Sequence, residues 1–260
     1  MEQQVSWQFP RPSKPILGFM VGLFAIWIAF ALGLNYLDVQ HSSFDFFAGD
    51  SALLFRGHVW RLLTAPLIHR PTGPGNYMHI LITLMLMWFF LPALEQRWGT
   101  KRLFLFLFGS ALFAYLLEAI AWQISPSLGS GTWYGAMVMA DAAIVAWAVG
   151  NRDGIIRLFF VIPMKPMVMV GLMAAFNVIQ LIAADIPPEG RIAPFAAMAA
   201  GYLFGDRSHL RQIYLKWKLR RIQSQVDDLT KQRKKRIADG PNLRVIKGGA
   251  DDDDEPRVLH

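Results

Sequence analysis

The chain has 260 residues, 54% of them hydrophobic and only 17% charged, with 26 Lys and Arg against 19 Asp and Glu for a formal charge of +7. Mean hydropathy is +0.32, more apolar than a soluble domain of this length, so the composition points to a polytopic membrane protein. The absence of cysteine excludes disulfides, thiol catalysis and cysteine-based metal sites.

A helix needs about 20 apolar residues to cross the hydrocarbon core. Residues 1–14 are polar, and the uncharged run 15–37 is too long for a cleaved signal peptide, so it reads as a retained first span. A long loop follows, with the turn signal Pro-Thr-Gly-Pro-Gly at 71–75. Further spans are predicted at 77–94, 103–124 (which contains Glu118), 130–149 (which contains Asp141), 168–184 and, the shortest, 192–205. Lys and Arg crowd the connections between spans two and three (Arg97, Lys101, Arg102) and four and five (Arg152, Arg157, Lys165). The connection between spans three and four has none, and that between five and six has only Arg191. This asymmetry predicts that both termini are cytoplasmic; the first loop, with Arg56, Arg61 and Arg70, is the exception and is long enough to weaken the rule.

Residues 206–260 hold 14 Lys and Arg against 9 Asp and Glu. The stretch 207–238 has neither Pro nor Gly and is predicted to be helical, with Leu210, Ile213, Tyr214 and Trp217 on one face. A basic helix beside a span anchors to anionic lipid or docks a protein. No nucleic-acid-reading module accompanies the charge, so no nucleic-acid partner is expected. Residues 239–260, with the acidic run 251–255, read as disordered. The domain plan is therefore a cytoplasmic N-terminus at 1–14, a membrane domain at 15–205, a basic helix at 206–238 and an acidic tail at 239–260.

Three local patterns carry chemistry. They are Trp60-Arg61 in the first loop, His79 to Thr83 leading into Glu95, Arg97 and Gly99, and Gly129-Ser130-Gly131 followed by Gly135. In this order, among six spans, they resemble the rhomboid family of intramembrane serine proteases over roughly residues 15–205. The resemblance implies an all-α, six-transmembrane-helix bundle. It places the serine nucleophile at Ser130, oxyanion donors at His79 and at Thr83, where the family has Asn, and the leading Gly of the Gly-x-Ser-Gly motif at Leu128. The family's catalytic His lies on span six ahead of a Gly-x-x-x-Gly pattern. Counting back from Gly201 and Gly205, that position is Pro194, and the family's preceding Gly is Ala197.

The missing base does not depend on the alignment, because no His lies between His79 and His209. A serine hydroxyl without a base is a poor nucleophile, and removing the base from a soluble serine protease costs about six orders of magnitude in kcat. Each residue therefore has two readings. Ser130 is a nucleophile, or a small residue in a seam with Gly131 and Gly135; Ala193, Ala197, Gly201 and Gly205 form a second seam on span six. His79 makes a structural hydrogen bond, serves the oxyanion, or replaces the base from another helix. Pro194 kinks span six, or sits harmlessly in its first turn. Glu118 and Asp141 are ionisable groups at membrane depth, Asn177 being a candidate partner for Asp141.

The expectation is a multi-pass protein of a bacterial inner membrane. It acts as a rhomboid pseudoprotease that binds transmembrane segments of client proteins without cleaving them. The alternatives are an active serine endopeptidase using Ser130, and a scaffold acting through its basic tail. Nothing in the sequence indicates a metal or cofactor, and the partners expected are the lipid bilayer and those client segments.

Overall fold

Long uncharged runs of Leu, Phe, Ala and Met must satisfy their backbone groups internally in a bilayer, and the helix does this residue by residue. The computed structural model describes residues 11–37, 40–73, 76–158, 162–183, 186–205 and 209–238. Helix α1 covers Lys14–Tyr36, with Ser13 accepting from the Ile16 N–H at its start. The first loop holds three short helices, α2 at His41–Phe47, α3 at Ser51–Leu54 and α4 at Arg61–Thr64. Then come α5 at Asn76–Trp98, α6 at Thr100–Ile124, α7 at Met137–Gly150, α8 at Pro166–Ile182, α9 at Ala193–Phe204 and α10 at His209–Ala238. Strand β1 (Gly49–Asp50) pairs antiparallel with β2 (Thr132–Trp133), and β3 (Ile156–Leu158) with β4 (Ile162–Met164). The chain divides into two compact units, residues 1–212 and 213–260. The predicted acidic tail and residues 1–10 of the predicted N-terminal segment lie outside the described residues.

Among the described residues, three helices, at 14–36, 77–98 and 100–124, are long and apolar enough to cross a membrane. The other three apolar helices are shorter, and α7 with 14 residues extends only about 21 Å. It can be short because it is buried on all sides: every residue from Val138 to Val149 is buried. Its neighbours are α5, α6, α8 and α9. Ala140, Ala142, Ala143, Ala146 and Ala148 keep it slim, so surrounding helices approach closely. The span-six seam meets this surface. A Cβ on Gly201 would strike the Ala142 carbonyl oxygen and come within 2.9 Å of Val145 Cβ, and Gly205 lies against Ala146. By contrast only Pro166 is buried along α8, whose Leu172, Phe176 and Ile179 are exposed.

Two sequence expectations are corrected here. Span four does not start at Ser130, since α7 starts at Met137; residues 130–136 are engaged by other elements, and Gly135 adopts φ +109. The apolar character of Trp133 and Tyr134 reflects burial in an irregular loop, which is tolerated at membrane depth where protein surrounds it. Gly131 and Gly135 accordingly form no helical seam: a Cβ on Gly131 would meet Trp122 Nε1 at an ordinary 3.7 Å, whereas Gly135 packs on His79.

Gly201→Ala should destabilise the bundle by about 1–3 kcal/mol through overpacking. Gly18→Ala, on α1 with open space around it, should be neutral or slightly stabilising. Thermal unfolding in detergent compares the two.

Candidate functional site

The Ser130 loop is fixed by a carboxylate that sequence reading left without a role. Glu118, fully buried on α6, accepts four backbone N–H groups: Ser130 at 2.5 Å, Arg191 at 3.0 Å, Ile192 at 2.6 Å and Ala193 at 2.8 Å. The last three are amides at the start of α9, which have no partner within their own helix. A carboxylate there also complements the positive end of the helix dipole. Pro194, the next residue, has no N–H to satisfy, and it occupies the first turn of α9 without breaking it. Two glycines make room for this hub. Gly190, at φ +105, lies where any Cβ would strike the Glu118 side chain, and a Cβ on Gly129 would come within 2.5 Å of the Trp122 nitrogen.

The rest of the loop is held just as closely. The Ser51 hydroxyl donates to the Ser130 carbonyl at 2.7 Å, and the Ser51 N–H to the Gly131 carbonyl at 2.8 Å. Trp133 Nε1 donates to the Ser51 hydroxyl at 3.1 Å, and its indole stacks on Tyr115 with centroids 4.4 Å apart. The Tyr134 N–H reaches Pro188 O, the Gly135 N–H reaches Ala65 O, and the Tyr115 hydroxyl donates to Gly135 O at 2.5 Å. Trp60 and Arg61 brace the first loop from beneath. Arg61 donates to the carbonyls of Asp45 (2.6 Å) and Ala48, and Trp60 Nε1 to Phe46 O.

Within this frame the Ser130 hydroxyl is buried and has no hydrogen-bond partner among the described residues. His79, in the first turns of α5, is bound elsewhere: its Nε2 lies 2.5 Å from Glu189 Oε1. Thr83 donates to the His79 carbonyl at 2.8 Å, one turn back along its own helix. The His69 ring lies 5.2 Å from that of His79, and His69 Nε2 accepts the Ala136 N–H at 3.2 Å. Burial, with a smaller contribution from His79, pushes the His69 imidazole down to about 3; it is the neutral ring that can accept from Ala136. Sequence reading missed Glu189 and the anchoring role of His69. The available signal for Glu189 was a carboxylate in a short loop between two apolar runs.

At the other end, the Glu-x-Arg-x-Gly turn joins three helices. Glu95 accepts the Thr100 hydroxyl at 2.6 Å, Gly99 turns the chain at φ +76, and Arg97 reaches Asn151 Oδ1 at 2.5 Å just past α7. Asp141 is buried; Asn177, its candidate partner from the sequence, donates to Met198 Sδ at 3.6 Å. A cavity of about 190 Å³ opens beside α8 and α9, lined by Asn177, Gln180, Arg191, Pro194 and Phe195 among others. Neither Ser130 nor His79 is among the lining residues. The described residues contain no group of three or more His, Cys, Asp or Glu arranged to hold a metal.

The family model for the Rhomboid domain matches residues 56–207, more than half of the chain. No curated protein matches it. The chain belongs to the rhomboid family and is an integral membrane protein with an all-α bundle.

Glu118→Gln leaves an amide NH2 facing backbone donors and should lower stability by about 2–5 kcal/mol. Ser130→Ala, which removes a hydroxyl without a partner, should change it by less than about 0.5 kcal/mol; unfolding midpoints in detergent check both. His69 gives a pH dependence. Its folded pKa is depressed, so its contribution is complete above the unfolded value near 6.5 and is lost as pH falls towards 3. The slope should reach about 1.4 kcal/mol per pH unit in that window, and His69→Asn should flatten it in acid unfolding curves.

Proposed function

We propose that this rhomboid-family membrane protein is a pseudoprotease, receiving transmembrane segments of client proteins without cleaving them. The observation that carries the reading is the bond between the Ser130 N–H and the Glu118 carboxylate. Acyl transfer needs donors aimed at an oxygen that becomes negative in the transition state. Here the amide nearest the serine is already bound by a carboxylate, whose charge opposes an oxyanion at that place. Base chemistry fares no better. Pro194 stands at the position that the family resemblance assigns to the catalytic His, and His79 Nε2 is engaged by Glu189.

Client helices would pack on the apolar surfaces of α5 and α8, where Tyr77, Leu81 and Met85 on one and Leu172, Phe176 and Ile179 on the other are exposed. In lipid such association rests on close packing and polar contacts rather than on the hydrophobic effect. The distribution of Lys and Arg supports cytoplasmic termini, which puts the Ser130 loop on the opposite side. The composition and compact core fit a bacterial inner membrane.

The test is cleavage of a generic rhomboid transmembrane substrate in liposomes, comparing wild type with Ser130→Ala. The expected result is no cleavage by either, with the substrate crosslinking to photoreactive groups at Leu81 or Phe176. Cleavage by wild type that is lost in Ser130→Ala would overturn the reading, and so would a failure to crosslink.

A further inference from the structure

Helix α10 runs for 30 residues, about 45 Å, and carries two apolar stripes. Leu210, Ile213, Tyr214 and Trp217 form one. Leu215, Leu219, Ile222, Val226 and Leu229 form the other, at successive spacings of four, three, four and three. At about 100° per residue the second stripe lies opposite the first. Leu219, Ile222, Val226 and Leu229 are 57%, 47%, 54% and 65% exposed. Among the described residues of its own unit, nothing covers this regular line of large side chains on so polar a helix.

The spacing is that of a heptad seam, with Leu219 and Val226 at a and Leu215, Ile222 and Leu229 at d. The flanking e and g positions are Lys216 and Lys218 at its start, then Gln223, Gln225, Thr230 and Gln232. In a helix this basic, residues 222–230 contain no Lys or Arg. Two parallel strands therefore meet no like-charge repulsion along most of the seam. A lipid surface selects the opposite pattern, a broad apolar face bordered by Lys and Arg. The narrow stripe instead suits a helix of its own kind. Copies inserted in one bilayer share a topology, which is compatible with a parallel, in-register pairing of two α10 helices. Confinement to the membrane plane raises their effective concentration, which offsets the shortness of a two-heptad seam.

We propose that α10 pairs with α10 of a second copy of this chain as a parallel two-stranded coiled coil through Leu215, Leu219, Ile222, Val226 and Leu229. Because the chain lacks cysteine, single substitutions report on the pairing directly. The full-length protein carrying Val226→Cys, reconstituted at low density in liposomes, is treated with a short bis-maleimide and compared with Ser224→Cys on the opposite face. Dimer yield at position 226 should exceed that at 224 at least tenfold, and adding Ile222→Asp to Val226→Cys should abolish the excess. Equal yields at 224 and 226, monomer at both, or a 226 dimer indifferent to Ile222→Asp would each overturn the proposal. Monomer at both positions with position 226 shielded by lipid would assign the stripe to the membrane surface instead.

Discussion

Four backbone amides from two separate segments converge on the carboxylate of Glu118, and the arrangement of that end of the bundle follows from this convergence. A buried carboxylate is destabilising unless its oxygens are saturated by donors. The amides at the start of a buried helix are destabilising unless they find acceptors. Each group answers the other's need, and the Ser130 amide joins the same charge. Because the donors come from the α6–α7 loop and the α8–α9 loop, the bond fixes both loops at once. Gly129 and Gly190 are then required by sterics, since a side chain at either would occupy space held by α6 or by Glu118 itself.

The same bond bears on chemistry. A serine site works when donors are held in reserve for charge that does not yet exist. In this loop the Ser130 N–H is committed to Glu118, the Ser130 and Gly131 carbonyls to Ser51, the Gly135 carbonyl to Tyr115 and the Ala136 N–H to His69. Tight pinning suits a scaffold whose shape must persist, and it supports the pseudoprotease reading. The second polar cluster, His79 with Glu189, closes the loop from the α5 side, and Gly135 lets the chain pass over the imidazole. These histidines hold structure together with ring nitrogens of the kind that catalysis would otherwise use.

At the opposite end, Arg97 places its charge beside the end of α7, where the helix dipole favours a cation. Between the two ends, α7 is fastened by close packing of small residues, Ala142 and Ala146 against Gly201 and Gly205. Polar clamps at both ends and a tight apolar middle explain how a helix of 14 residues holds the centre of the membrane bundle.

Much of this was legible in the amino-acid order. Apolar runs located the helices α1, α5, α6, α8 and α9 to within a few residues, because a long apolar segment leaves a composition signal that local interactions do not blur. The family motifs were legible too, since Trp60-Arg61, Glu95-x-Arg97-x-Gly99 and Ser130-Gly131 are local strings. The lack of any His between His79 and His209 required no structure at all. What only the tertiary structure decided is where polar groups point. Ser130, Glu118 and Ala193 are separated by up to 75 positions, and no periodicity relates them. The start of α7 at Met137 rather than Ser130 likewise depends on partners supplied by Gly49, Ser51, Ala65 and His69. Hydropathy reports how much of a segment avoids water. It is silent on which buried donor meets which buried acceptor, because that pairing is set by side chains and backbones that become neighbours only when the helices have packed.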